Sequence, residues 1–307
     1  MRYMVTGGAG FIGSHLVKAL LDNGNTVICV DNESSEGHEK FKWDDRAVNM
    51  NCDINDLTVS DFEQVDMVFH MAAEVSIPRC IANPQKTSNS NVTGTFNVLD
   101  CARKAGVSRF VFSSTSAIYG MGDASFGLYG SQNEMGKTDC LNIYSTSKLM
   151  CEELCKLYSK PLVTDNGVHY MDTVSLRYFN VYGEGQSNKG QYCPVVAVFK
   201  RQKAEGVPLT VVGDGMQTRD YIHVSDIVSA NIAAANSIKK FNGDIINIGT
   251  GTSHSVIEIA KVIAGDDGTI RFLPPRSGEA RHTLCNWQKA KELLGWSPKV
   301  SLMNWLI

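Results

Sequence analysis

The sequence predicts an α/β fold: a doubly wound parallel sheet with a smaller α/β lobe beside it. Three observations predict it. Short apolar strands alternate with helical stretches over the first 180 residues, a glycine-rich turn follows the opening strand, and the second strand ends in an acid. The opening strand, Arg2–Val5, runs into TGGAGFIG at 6–13. Phe11, Ile12, Leu16, Ala19 and Leu20 then recur at helical spacing, and Gly24 supplies the stop. Strand, glycine turn and helix is the order that a dinucleotide-binding loop requires. Gly7 permits a tight turn, Gly10 lets the backbone approach a pyrophosphate, and Gly13 lets the helix pack on the sheet. N–H groups at the helix start attract the phosphate charge. The next strand, Thr26–Val30, delivers Asp31 to its end, where a carboxylate bonds ribose hydroxyls and repels a 2′-phosphate, favouring NAD over NADP.

Further strands are expected at Met67–His70, Arg109–Ser113 and Thr173–Tyr178, and helices near Ser88–Ala105 and Ser145–Tyr158. The order changes after Asn180, where glycine-containing polar loops appear at Gly183–Gly190 and Gly213–Thr218. A helix at Asp226–Ser237 and a strand at Ile245–Gly249 read as returning to the first domain. The expected division is therefore residues 1–179 as an NAD-binding Rossmann-type domain, with 226–251 returning to it. Residues 180–225 and 252–307 would form a substrate-binding lobe over the strand ends, where ligands bind in such sheets.

Composition excludes several classes. The 307 residues are 43% hydrophobic and 20% charged, with a net charge of −3, which suits a globular protein and gives no case for nucleic acid or an anionic membrane as partner. No apolar run has the length of a membrane span. A strand that starts at residue 2 leaves no room for a signal peptide, so a cytoplasmic location is expected. Nine cysteines occur without a C-x-x-C pair, and in a reducing compartment they read as buried thiols. Cys151 and Cys155 share a helix face as core packing; no metal site is expected.

Tyr144 and Lys148 carry the chemistry. They lie four apart in NIYSTSK at 142–148, on one face of the expected helix. A phenol has a pKa of about 10, and a neighbouring ammonium favours its phenolate. The pair therefore makes a base usable near neutral pH.

Together with TGGAGFIG at 6–13, the segments HMAA at 70–73, SSTSAIYG at 113–120, YSTSK at 144–148, LRYFNVYG at 176–183, RDYIHVSD at 219–226 and PRSGEARHTL at 275–284 cover nearly the whole chain. With these landmarks the sequence resembles the extended short-chain dehydrogenase/reductase superfamily. Within it, the NAD-dependent epimerases and dehydratases of nucleotide sugars fit best, the UDP-N-acetylglucosamine and UDP-glucose 4-epimerases most of all. The resemblance implies a tightly bound NAD, regenerated in each turnover, that borrows a hydride from sugar C4. Tyr144 would remove the 4-hydroxyl proton, Lys148 would bond the nicotinamide ribose and lower the tyrosine pKa, and Thr115 would bond the same sugar oxygen. Cofactor contacts are implied at Gly7, Gly10, Phe11, Ile12 and Gly13, at Asp31 and Asn32, and at Asp53 and Ile54. Others are implied at Met71, Ala72 and Ala73, at Asn91, Ser113 and Tyr178, and at Tyr144 and Lys148 themselves.

On the substrate side, the resemblance implies that Arg219 and Arg276 bind the diphosphate and that Asn180 bonds diphosphate or sugar. The backbone around Leu209 to Val211 would cradle uracil, and Ser76 and Arg79 would touch the sugar. Thr283 matches a gate beside the sugar 2-position, and its small size would admit an acetamido group. Dehydratases of this kind place Asp-Glu directly after their threonine, and UDP-glucuronate decarboxylases keep a glutamate two positions after theirs. Here those positions are Ser116 and Ala117, so epimerisation is the expected outcome. A proline common shortly before the catalytic tyrosine is replaced by the run Asp139 to Ile143. A homodimer is implied through helices of this region.

Overall fold

A computed structural model describes residues 1–35, 42–121, 130–164, 167–187, 193–266, 268–275 and 280–307. The first half alternates as expected: β1 (Arg2–Thr6), α1 (Phe11–Asp22), β2 (Thr26–Asp31), β3 (Val48–Asn51), β4 (Met67–His70), α2 (Ile77–Ala82), α3 (Pro84–Ser88), α4 (Gly94–Lys104), β5 (Arg109–Thr115) and α5 (Ile143–Tyr158). A hairpin of β6 (Leu162–Thr164) and β7 (Gly167–His169) precedes β8 (Asp172–Tyr178). The second half contains β9 (Asn180–Tyr182), α6 (Val195–Ala204), β10 (Leu209–Val212), β11 (Thr218–His223), α7 (Val224–Asn236), β12 (Asp244–Ile248), β13 (Ser253–Ser255), α8 (Val256–Ala264), β14 (Ile270–Leu273), α9 (Gln288–Leu294) and α10 (Leu302–Leu306).

Seven strands form one sheet in the order β12-β8-β5-β4-β1-β2-β3, parallel throughout. Parallel strands need both faces covered, and alternation along β5 shows how. Phe110 and Phe112 enter a core with Leu99 and Ala102 of α4 and Cys151 and Cys155 of α5. Val111 enters the opposite core with Leu16 and Leu20 of α1 and Ile227 and Ala230 of α7. Ala290 and Trp296, around α9, join that second face. A third core, with Phe199, Val211 and Ile259, lies under β10 and α8.

Two elements differ from the sequence reading. β3 pairs with β2 as the sheet edge, yet its residues VNMN are largely exposed and the strand is only four residues long. The helix expected over Ser88–Ala105 is interrupted: a π-helical turn at Asn89–Thr93 separates α3 from α4. At the other end of the sheet, Arg109 is buried. Its Nε donates to Asp172 Oδ2 at 2.9 Å, and its terminal nitrogens donate to the carbonyls of Ala234, Ala235, Ser237 and Lys239. The guanidinium thereby satisfies the carbonyls at the end of α7 and just beyond, which the helix itself cannot pair. Among the described residues, no helix is long and apolar enough to cross a membrane.

Candidate active site

The predicted residues from the first half gather at the C-terminal ends of β1, β2, β4 and β5. At the end of β1 the glycine turn is pressed against the chain leaving β4: a Cβ on Gly7 would stand 2.8 Å from the Ala72 nitrogen and 2.9 Å from the Met71 carbonyl carbon. Gly7 also has φ +68°, a left-handed value that favours glycine. A Cβ on Gly13 would run into the Gly7 carbonyl oxygen, so α1 packs this close only because residue 13 is glycine. Gly10 caps α1 without a side-chain hydrogen bond, with Phe11 and Ile12 opening the helix.

Asp31 ends β2. Its Oδ2 accepts the Ala9 N–H at 3.1 Å and its Oδ1 accepts the Glu33 N–H at 2.8 Å, tying the acid to the glycine turn. Beside it, Asn32 donates through Nδ2 to Asp53 Oδ2 at 2.7 Å. Burial works to raise the Asp53 pKa, but donors from Asn55 and Asn32 outweigh it and hold the carboxyl below its usual range. Ile54 turns its side chain into the core below. A cradle closed to any side chain, beside a fixed carboxylate at the end of the second strand, fits a dinucleotide.

Beneath this rim runs a buried polar chain. His70 is fully buried, with Nδ1 at 2.7 Å from Thr6 Oγ1 and Nε2 at 2.8 Å from Thr95 Oγ1. Burial, with the Lys148 charge nearby, holds its pKa down to about 3, so the imidazole is neutral. Thr95 in turn donates to the Asn91 carbonyl at 2.6 Å. That commits Thr95 Oγ1 as acceptor to His70 Nε2–H and leaves Nδ1 to accept from Thr6. Asn91 sits in the π-helical turn. Its carboxamide clasps Glu74, accepting the N–H at 2.7 Å and donating to the carbonyl at 3.0 Å, and it also donates to Ser147 Oγ. Ser147 then donates to the Tyr144 carbonyl at 2.8 Å, so the chain ends on α5.

Asn142 starts α5 by capping the Ser145 N–H at 2.9 Å, in a reciprocal capping box. Tyr144 is half-buried in the first turn, and Lys148, one turn on, is buried. Lys148 donates to the Ser113 carbonyl at 2.9 Å and lies 4.7 Å from the centre of the Phe112 ring. Burial lowers its pKa to about 8. Thr115 ends β5, and its Oγ1 accepts the Ala117 N–H at 3.1 Å, which turns the chain into a short 3-10 helix, Ser116–Tyr119. The run before Tyr144, which lacks that proline, packs against this turn. The Asp139 N–H donates to the Ile118 carbonyl at 2.9 Å, and Gly120, at φ +58°, leaves no space for a Cβ against the Asp139 carbonyl. Tyr178 lies alongside, its phenol donating to Asn231 at 2.9 Å and 3.1 Å from Ser113 Oγ; burial pushes it up to about 12.

The substrate-side residues divide. Asn180, Arg219 and Thr283 come together where β9 pairs with β11 and the chain at 281–283 runs beside β11. Asn180 Nδ2 donates to the Asp220 carbonyl at 2.9 Å and to Thr283 Oγ1 at 3.3 Å; Thr283 Oγ1 also accepts the Asp220 N–H at 3.2 Å. Arg219 donates to the Thr218 carbonyl at 2.9 Å. Arg79 forms a 2.7 Å ion pair with Glu74, and among the described residues the buried Ser76 hydroxyl has no hydrogen-bond partner. Leu209 and Val211 point into the third core, and the Leu209 N–H is taken by the Thr269 carbonyl. Arg276 lies outside the described residues. A cavity of about 260 Å³ between Gly183, α6 and Trp305 contains none of the predicted site residues.

Sequence reasoning assigned nothing to His70, Glu74 or Asp220. His70 and Asp220 stood inside quoted segments; their burial was the signal that only the fold supplies. Among the described residues no group of three or more His, Cys, Asp or Glu side chains could hold a metal ion.

Comparison with known proteins then gives consistent results. The model of the NAD dependent epimerase/dehydratase family matches residues 3–249. A putative UDP-glucose 4-epimerase of Methanocaldococcus jannaschii is 35% identical, over 99% of this chain and 97% of that protein. UDP-glucuronic acid decarboxylase 1 of Xenopus tropicalis is 34% identical, over 98% of this chain and 69% of that protein. The crystal structure of UDP-glucose 4-epimerase with UDP-glucose from Thermotoga maritima superposes with a TM-score of 0.89 at 34% identity, over 100% of this chain and 96% of that one.

Proposed function

We propose, from the premise that this chain belongs to the NAD dependent epimerase/dehydratase family, that it is a UDP-sugar 4-epimerase. The observation that carries this reading is the turn after Thr115. Ala117 serves there as a backbone donor to Thr115 Oγ1, and its side chain is a methyl group. Ser116 is buried beside it. Neither residue offers the carboxylate that a dehydratase or decarboxylase of this type would use to carry the keto sugar onward.

NAD, when bound, would supply the acceptor and donor for a hydride at C4. The residues of the chain do the rest. The half-buried Tyr144 accepts the proton of the sugar 4-hydroxyl and later gives it back. Lys148, anchored on Ser113, holds its ammonium in the adjacent turn and favours the phenolate. Thr115 bonds the same sugar oxygen from the end of β5. With neither Ser116 nor Ala117 offering a carboxylate to divert it, the 4-keto sugar would turn over and be reduced on its other face. Gly7, Gly10, Gly13, Asp31, Asn32 and Asp53 would hold the dinucleotide.

For the sugar we favour UDP-N-acetylglucosamine and UDP-N-acetylgalactosamine, because Thr283 is small where a bulky residue would close the 2-position. The UDP-glucose/UDP-galactose pair is the alternative, and the relatives named for UDP-glucose favour it. A second reading, decarboxylation of UDP-glucuronate, takes its support from the 34% identical decarboxylase. Incubating the purified protein with UDP-N-acetylglucosamine, UDP-glucose and UDP-glucuronate separately, and resolving products by chromatography and mass spectrometry, decides among them. Conversion of the acetylated pair at constant mass is expected. Turnover of the non-acetylated pair alone ends the N-acetyl assignment, and loss of carbon dioxide ends the epimerase reading.

We further propose a cytoplasmic homodimer. Phe96 on α4 and Met150 and Leu157 on α5 are about half exposed, at 49%, 51% and 58%, an apolar face that a second copy would cover. Light scattering on the same preparation reads the mass: a monomer at micromolar concentration removes this part.

A further inference from the structure

We propose that the buried ion pair of Arg177 and Glu152 positions Tyr144 against Thr115 for proton transfer. Both are positioning residues: they act through other side chains and neither reacts. The inference rests on the reading of Tyr144 and Thr115 above and deepens it.

Tyr144, Lys148 and Glu152 stand four apart on α5 and form one stripe down the helix. Glu152 is fully buried, a rare place for a carboxylate. Its Oε1 accepts from Arg177 Nε at 2.8 Å and from Ser114 Oγ at 2.6 Å, and its Oε2 accepts from Arg177 Nη2 at 2.7 Å. A two-bond fork of this kind fixes direction as well as distance. Ser114 immediately precedes Thr115, and Ser114, Arg177 and Asn247 stand side by side across β5, β8 and β12. The buried Arg177 guanidinium also lies 4.8 Å from the centre of the Tyr119 ring. Tyr119 closes the 3-10 turn that follows Thr115, and its hydroxyl donates to Asn247 Oδ1 at 2.7 Å. One guanidinium therefore meets both sides of the proton-transfer pair. It reaches the helix that carries Tyr144 through Glu152, and the turn that follows Thr115 through Tyr119.

Other contacts of α5 do this less directly. Cys151 and Cys155 share a core with Phe110 and Phe112, and apolar contact has no direction. Thr173 donates to the Cys155 carbonyl at 2.7 Å, about three turns away from Tyr144. Asn91 holds Ser147 from a neighbouring helical turn and not from the sheet. Lys148 bonds the Ser113 carbonyl with a group that the chemistry itself needs. Glu152 binds α5 to β5 and β8 and has no other task.

Apolar residues of similar volume often support a fold as well as a buried ion pair does. That separates two roles. If the pair only stabilises, an apolar replacement that restores stability also restores turnover. If it positions, stability returns and turnover does not.

The test compares wild type, Arg177→Met and Glu152→Leu/Arg177→Met, each loaded with NAD. Arg177→Met leaves a buried charge unpaired and should melt far below wild type. The double variant should melt close to wild type and keep its NAD. A misplacement of about 1 Å costs about 10² in rate, so its kcat on UDP-hexoses should fall about 100-fold with KM within about twofold. The fall should be equal across the pH range, because one charge of each sign has left. A double variant with wild-type kcat overturns the inference. So does a shifted pH profile, which would make the pair a source of field at Tyr144 and not of position. If the double variant fails to fold, Glu152→Asp carries the test: both charges stay, the arm loses one methylene, and an unchanged kcat again overturns the inference. A crystal structure of the variant that folds reads position without an assay. The Tyr144 phenol should move by about 1 Å relative to Thr115, and an unmoved phenol overturns the inference. A wild type that turns over no UDP-hexose would end the functional reading, and the crystal structure would still decide this one.

Discussion

The two halves of the candidate site are held in different ways. On the cofactor side, hydrogen bonds run in series from the glycine turn through Thr6, His70, Thr95, Asn91 and Ser147 to the carbonyl of Tyr144. The strands behind them are central in a seven-stranded sheet. On the sugar side, β9 and β13 are three residues long, and much depends on one buried carboxylate. Asp220 accepts from the Thr250 N–H and hydroxyl, from the Gly251 N–H and from the Cys285 N–H. The contrast teaches where each kind of damage spreads. A side chain that only reacts can be lost without moving either half. A side chain that only holds will move its own half alone.

Tyr144→Phe should give the largest effect. It removes the proton acceptor and keeps the ring, so kcat should fall by about 10³, within the range of general acid–base catalysis. NAD content and melting temperature should match wild type. A variant that keeps full activity would contradict the mechanism, and one that loses its cofactor would mean that the phenol also holds the cofactor half together.

Asp220→Asn tests the other half. A carboxamide presents one oxygen where four donors now converge, so two of them would face an NH₂ group. A loss of about 1–3 kcal/mol in stability is expected for buried groups left unpaired, read by denaturant unfolding. UDP-hexose binding should weaken while bound NAD stays at its wild-type level. Equal loss of both ligands would show that the halves are not independent.

Lys148 gives an expected change in stability with a sign to check. Burial places its pKa at about 8 in the fold, against about 10.4 for an unfolded lysine. Between these values the unfolded chain binds a proton that the folded chain has released, so this group makes stability rise with pH across that window. Below about pH 8 both states are protonated and the cost of burying the charge is present in full. Stability of the NAD-free wild type relative to Lys148→Met should therefore increase between pH 8 and 10.4. A difference that stays flat across that window would mean that Lys148 keeps its proton in the fold up to its ordinary pKa.

Much of the cofactor half was legible because its signals are local. The glycine turn, the acid at residue 31 and the i, i+4 spacing of Tyr144 and Lys148 each occupy a few neighbouring residues. The break between α3 and α4 was not legible, since SNVT at 90–93 has no proline and the π-helical turn is set by what Asn91 clasps at residue 74 and at residue 147. β3 was missed because four residues with only two apolar side chains, on an exposed edge, give too short a run to stand out. The sugar half was legible only as correspondence to motifs. Asn180 and Thr283 stand 103 positions apart, and neither residue type announces that it will be buried against the other. Asp220 likewise looked like one letter in a motif until four donors were seen to converge on it.

Arg109 bears on the order in which the chain becomes structured. Its side chain enters the sheet with β5, yet four of the carbonyls that receive it belong to residues 234–239. A nascent chain that has emerged only as far as α5 contains most of the residues proposed to hold the cofactor and none of these acceptors. The guanidinium would then have to stay in water and keep that end of β5 open, because a buried charge without partners is costly. Completion of the sheet is thus tied to the arrival of α7. The early segments wait for the late ones, and the cofactor half reaches its final form only after much of the sugar half has been made.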